Sequence, residues 1–355
     1  MRLLRLELRK LLCGPAIWLF LALCLAVNTL FVFGTGHRYA IAQANEQMQK
    51  EGTRYSEDYG LFDGLAEDML AILRRDQDMS PLAKKVQLWK YAKLAPEIEA
   101  TAQRGDYLDV YFFDGSKWIH ENAFEDLGRL LNAECAAFFV LMALWALGCE
   151  HMAGTAQTAL ATKTGRKIAA HKIAAALLLG TGFFAALHGL SYALCFAVND
   201  FSQVWGQSIS SQSRTILMDF FGPMPILTWG PMTVGGYFWR CLLASFLNCL
   251  ALGLTAIPFG LLVKNVYAAF CGVAGVCFLQ LMAGLFGSAW GVQPFAWYLA
   301  MALPVTQLLR TRYWCTDGGG VMLLPHFELL YPLIVIALLC PVLLFAVRRF
   351  KRKEI

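Results

Sequence analysis

The residues with the most chemical potential in this 355-residue chain gather in one short segment. Glu150 is followed by Gly154-Thr155 and then by Lys163, Arg166, Lys167 and Lys172, one acid against four bases. Basic groups at that density hold a loop against a charged surface or a protein partner; they break no bonds unaided. The run Thr162-Lys-Thr-Gly-Arg-Lys167 has a Lys-Thr pair but lacks the glycines that let backbone N–H groups cradle phosphates. Gly318-Gly-Gly320 follows Asp317 with no strand before it, and reads as a flexible turn. His-Glu-x-x-His and Cys-x-x-Cys metal patterns are absent. The chain is therefore expected to be no enzyme and to hold neither metal nor cofactor of its own.

The elements that must carry this segment follow from composition. The chain is 58% hydrophobic and only 15% charged, with a mean hydropathy of +0.51. Soluble chains average about a quarter charged residues, so a soluble globular domain is excluded. A hydrocarbon core about 30 Å thick needs roughly 20 apolar residues per helix. Six segments qualify, near 14–34, 131–149, 173–198, 239–262, 266–290 and 331–347. The basic segment lies between the second and third. Lys and Arg near span ends resist translocation, which puts it on the cytoplasmic side with both basic termini and makes the chain a multi-pass protein of the cell membrane. Met152, Ala156 and Leu160 recur at helical spacing, as in a short helix lying below the bilayer. The net charge of +5 comes from the chain ends and suits anionic lipid better than nucleic acid. Ten of eleven cysteines fall in or beside spans, so free buried thiols are expected and no disulfide framework. The apolar run 15–33 is too long for the core of a signal peptide, and Ala40-Ile-Ala42 lies well beyond it; an uncleaved first span is expected.

Residues 1–12 alternate leucines with Arg2, Arg5, Arg9 and Lys10, an interfacial amphipathic helix that Gly14-Pro15 breaks. Residues 35–130 form a polar extracellular domain with 12 Lys/Arg and 17 Asp/Glu. Leu61, Leu65, Met69 and Leu73 mark one helix in it; Ser80-Pro81 opens a second, which Gly105-Asp106 ends. Val110 to Ile119, with Asp114-Gly115 at its centre, predicts a β-hairpin in which Tyr111 faces Trp118. Asn122 and Glu125 predict a capping box at the start of a second-span helix that begins outside the bilayer. Lys264-Asn265 makes the fourth and fifth spans a tight hairpin, with Pro258 expected to kink the fourth. Phe295–Leu309, interrupted by Pro304, is too short to cross and reads as re-entrant within 291–330. The domain reading is thus 1–34, 35–130 and 131–355.

Within the spans, His188 is expected to hydrogen-bond between helices rather than relay protons, and Asn248 and Gln280 to bond across helices. Glu134 lies near the outer end of the second span and Arg240 at the outer start of the fourth. Phe138, Met142 and Trp145 on the second span, with Phe278 and Met282 on the fifth, are candidates to line an amphiphile pathway, although helix packing or lipid contact serves for any one of them.

The order Glu150, Gly154-Thr155, Arg166, Lys172 resembles the coupling loop of ABC-2-type permeases, the membrane subunits of a class of ABC transporters. The elbow helix with Glu7-Leu-Arg-Lys10 and the short re-entrant outer segment are also similar to that family. The resemblance implies an all-α polytopic fold, two permease subunits (homo- or heterodimer) and two ATP-binding subunits that hold ATP and Mg. A helix at 153–163 would dock on the ATPase, with Glu150, Gly154, Thr155, Arg166 and Lys172 as coupling residues and Glu7 and Lys10 in the elbow. Export of an amphiphilic, peptide or drug-like substrate is the implied activity. The roughly 95-residue domain between the first two spans departs from the shortest relatives. Two other classes stand beside this one: a non-transporting sensor or immunity protein that presents residues 35–130, and a membrane-embedded enzyme.

Overall fold

In a computed structural model, which describes residues 2–34, 37–113, 116–155, 168–219, 222–263, 265–286 and 294–352, six helices are long and apolar enough to cross a membrane. They run Pro15–Gly34, Lys117–Met152, Ile168–Val198, Val234–Leu262, Val266–Leu285 and Phe327–Arg352. The chain is thus a multi-pass helical membrane protein. Six crossings return it to the side on which it began; that end of the bundle is called the base and the opposite end the head.

The second and fourth spans are the most buried and form the centre; the first, fifth and sixth are largely exposed in a single chain. Small residues let the central helices approach. A Cβ added at Gly180 on the third span would lie 2.5 Å from a Phe139 ring carbon, and one at Gly253 on the fourth would lie 3.0 Å from the same ring. Close helix packing through small residues is how spans associate where no hydrophobic force separates protein from lipid. All eleven cysteines are free, as composition led us to expect.

At the N-terminus, an amphipathic helix Arg2–Leu12 lies ahead of the first span and turns at Gly14, just before Pro15. Its Glu7 and Leu11 are buried while Arg5, Leu6, Arg9 and Lys10 are exposed. The second helix is the longest element. At about 1.5 Å per residue its 36 residues span roughly 54 Å, well beyond a hydrocarbon core of about 30 Å, so its first turns stand in the head. A π-helical stretch, Glu121–Leu127, interrupts it. Asn122 and Glu125 lie inside that continuous helix, so they form no capping box. Pro258 sits within the Val234–Leu262 helix. Asn265 opens the fifth span by accepting from the Tyr267 and Ala268 N–H groups at 2.9 and 3.2 Å.

The head is a composite. Its first part holds helices His37–Glu51, Leu65–Arg75 and Pro81–Arg104. The Ser80 side chain accepts from Ala83 N at 3.3 Å with Pro81 at the first helical position, and Gly105 at φ 65° ends that helix, as the sequence predicts. The predicted β-hairpin is not formed. Val110–Phe112 is a 3₁₀ turn and Lys117–His120 is α-helical, while Asp114-Gly115 lies outside the described residues. The reason is visible in the partners: the Tyr111 hydroxyl bonds His120 Nδ1 at 2.9 Å, and Trp118 stacks on His37 instead. A two-stranded antiparallel pair does occur, at Ile216–Asp219 and Gly222–Pro225, in the connection between the third and fourth spans. That connection supplies Met224 and Leu227 to a core with Met69, Leu73, Tyr91 and Leu94.

The connection before the last span supplies the rest. It contains two short helices, Pro294–Met301 and Pro304–Leu309, broken where Pro304 predicts. Asp317 is wholly buried. It accepts from Leu227 N (2.9 Å), Gly319 N (3.2 Å) and the Tyr91 hydroxyl (2.8 Å), and Lys90 Nζ lies 2.7 Å from its carbonyl oxygen and 3.4 Å from its carboxylate. Gly318–Gly320 is therefore a 3₁₀ turn, with Gly318 and Gly319 buried, rather than a flexible one. Residues 35–130 do not make up the head alone: it closes only when three connections meet.

Candidate functional site

Four of the residues singled out in the sequence converge at the base. Lys172 is the fifth residue of the third span's helix, and its side chain is 5% exposed. Its Nζ donates to Glu7 Oε2 at 3.0 Å, to the Ala146 carbonyl at 3.1 Å and to Glu150 Oε1 at 2.5 Å. Glu150 also accepts from Lys10 Nζ at 2.6 Å. Two acids and two bases thus alternate across three helices. The local cause is simple: Glu7 and Lys10 are three apart on one helical face, and Glu150 and Lys172 stand at the facing ends of the second and third spans.

Burial alone would lower the Lys10 ammonium, but its hydrogen bond with Glu150 outweighs that and holds it above the ordinary lysine range. Burial alone would raise the Glu150 carboxyl, but Lys10 and Lys172 hold it below the ordinary carboxylate range, so the Lys10–Glu150 pair stays charged across physiological pH. The cluster's effect is mechanical. It fastens the amphipathic helix to the point where the chain leaves the second span and to the start of the third.

The loop then begins in a strained-looking but ordinary way. Gly154 takes φ 69°, a left-handed conformation suited to glycine, and Thr155 N donates to Glu150 O at 2.9 Å. Gly154 is exposed with open space around it, so the positive φ is its only structural requirement. Residues 156–167 lie outside the described residues, and with them Arg166 and nearly all of the expected helix at 153–163.

The candidate pathway residues do not share one environment. Phe138 is buried and stacks on Phe183 with centroids 3.8 Å apart, and Met142 is buried beside it in the core. Trp145 and Phe278 are exposed, and Met282 is partly so. Neither described cavity, both in the head beside the His37–Glu51 helix, is lined by any of the five.

No family model, curated protein or solved structure matches this chain. Its function must be argued from its own residues.

Other intramembrane polar groups fall where helix packing needs them. His188 Nδ1 contacts the Phe184 carbonyl at 3.2 Å and, across the helix boundary, Cys135 Sγ at 3.6 Å. Asn248 donates to the Ala244 carbonyl one turn back in its own helix at 2.9 Å, not across helices as expected. Gln280 does reach across, accepting from Val305 N at 3.2 Å. Arg240 pairs with Glu328 at 2.7 Å. The sequence reading missed Asn28 and Ser191. Asn28 Nδ2 donates to Glu134 Oε2 at 3.0 Å and to Ser191 Oγ at 3.1 Å, joining the first three spans. A lone Asn in an otherwise apolar 20-residue helix was the available signal.

Proposed function

We propose that the chain is the transmembrane permease subunit of an ABC transporter, exporting an amphiphilic, peptide or drug-like substrate with ATP hydrolysed by a separate subunit. The observation that carries this reading is the Glu7–Lys172–Glu150–Lys10 cluster. A transporter without its own nucleotide site needs a part that takes force from a soluble motor and passes it to the spans. A lipid-surface helix bolted to the mouth of a basic loop and to two spans is such a part. The paired short helices at 294–309 also support the reading. In it the base is cytoplasmic, the head is extracellular, and a second permease subunit, identical or not, covers the exposed spans.

Two results are expected. Tagged full-length protein should co-purify an ATP-binding subunit, and Glu150→Ala with Arg166→Ala should uncouple ATP hydrolysis from transport while leaving expression intact. Purification of the intact membrane complex with no ATP-binding chain would overturn the reading. For orientation, a cysteine placed at the exposed Lys85, in a background without Cys13, Cys271 and Cys340, should react with an impermeant maleimide added outside intact cells. Labelling only after the cells are opened would reverse the topology.

A further inference from the structure

Glu134 is a carboxylate in a place where water is scarce. It lies 16 residues from Glu150 along one helix, about 24 Å above the base cluster, and so within a hydrocarbon layer of about 30 Å. Ionisable groups at such depth are costly and are kept for a reason. Its polar neighbours are Asn28 and the Cys24 thiol, and among the described residues no basic side chain forms an ion pair with it. Every other buried carboxylate discussed above has its base: Glu7 and Glu150 have Lys172, Glu125 has Arg129, Asp317 has Lys90, and Glu328 has Arg240.

The unsatisfied atom beside it is an acceptor. Asn28 is 1% exposed, and its Oδ1 has no hydrogen-bond partner. The same amide spends its Nδ2 on Glu134 and on Ser191, which is itself buried. The site therefore offers a carboxylate, an unused amide oxygen and a hydroxyl. Glu134 is only half-buried, so the carboxylate is reached from the flank while Asn28 and Ser191 form the wall behind it. Below it, toward the base, each of the three helices contributes a ring. Phe138 lies one turn from Glu134; Phe20 and Phe183 lie two turns from Asn28 and Ser191. The three rings pack with centroids 3.8 to 5.9 Å apart and close the site from beneath.

We propose that Glu134, Asn28 and Ser191 bind the primary ammonium group of an amphiphile that enters sideways from the lipid. A primary ammonium brings one positive charge and three N–H donors. It supplies both what the carboxylate lacks and what Asn28 Oδ1 lacks, and its alkyl chain stays in hydrocarbon. The source is either an aminophospholipid of the bilayer or a cationic amphiphile from outside. The assignment needs no ATP-binding partner, so it stands or falls apart from the transporter reading.

The test uses full-length protein in phosphatidylcholine nanodiscs and a dodecylamine carrying a photoreactive diazirine in its alkyl chain. Saturable labelling of the first three spans is expected. Unlabelled dodecylamine should compete; dodecanol should not, and dodecyltrimethylammonium, which has no N–H donor, should compete weakly. Glu134→Gln should weaken binding about ten- to a hundredfold, as loss of a charge-assisted hydrogen bond does. Should that variant misfold by size-exclusion and melting, Ser191→Ala is read instead, with a loss of roughly two- to tenfold expected from one neutral hydrogen bond. Competition by phosphatidylethanolamine in the disc assigns the lipid source, and its absence the external one. Equal labelling of a folded Glu134→Gln protein, equal competition by dodecanol, or displacement by sodium chloride but not by choline chloride at the same ionic strength overturns the proposal; the last would make the ligand an inorganic cation.

Discussion

Replacing Lys172 with methionine is expected to release the amphipathic Arg2–Leu12 helix from the bundle at a cost of about 3 kcal/mol, the low end for breaking a buried ion pair. Methionine fills much the same volume but carries no charge. Glu7 then loses its ion-pair partner while remaining 9% exposed, and Glu150 keeps only Lys10. Two carboxylates that had shared one ammonium would repel across the helix boundary. The retained Lys10 contact is why the estimate sits at the low end. The measurement is a thermal melt of the detergent-solubilised protein, with trypsin cleavage after Arg9 and Lys10 as the local readout. Adding Glu7→Gln to the methionine variant should recover part of the loss, because the stranded charge is gone. A single variant that melts like the parent and is cut no faster would show that the cluster carries no load.

Replacing Asp317 with alanine should do still more, about 3–5 kcal/mol, and should do it in the head rather than the base. Lys90 would be left wholly buried without this carboxylate, and Leu227 N, Gly319 N and the Tyr91 hydroxyl would each lose the same acceptor. A buried backbone N–H that loses its acceptor costs roughly 1–3 kcal/mol, so partial opening of the head is the expected relief. Limited proteolysis should move into 199–233 and 310–326, with the spans intact. Asp317→Ala together with Lys90→Met should melt above the single variant, since removing both charges is cheaper than stranding one. If the single variant keeps the parent's protease pattern, the head is not held by this residue.

Local chemistry was legible in the sequence; long-range polar closure was not. Ser80-Pro81, Gly105 and Gly14-Pro15 act within a few residues through caps and fixed φ angles, and the structure places a boundary at each. The six spans were legible for the same reason, since length and apolarity are properties of a window. The hairpin expected at 110–119 fails because Tyr111 and Phe112 find burial against His120 in a helical arrangement, which no turn signal can reveal. The 199–233 connection lacks any periodic apolar pattern. Its hold comes from Asp109 accepting Ser208 N at 2.5 Å and from Asp317 meeting Leu227, both contacts between distant segments. At the base, each of Glu7, Lys10, Glu150 and Lys172 could be picked out by type. A basic partner for Glu150 could be expected from charge, but the reach of Lys172 to Glu7 across 165 residues could not.

The distance along the chain between Lys90 and Asp317 also sets an order of events during synthesis. They are 227 residues apart, and ribosomes add about 5–20 residues per second. The lysine therefore waits roughly 10 to 45 s for its partner, and during that time four more helices must be threaded into the lipid. Until the last loop is made, the half-built head, which the proposed orientation puts outside the cell, holds an ammonium whose carboxylate partner does not yet exist. It must keep that face open to water, and a chain stopped short of residue 317 never leaves that state. Quality-control proteases on that side would therefore meet an open head on every truncated product, and a closed one only on chains made to the end.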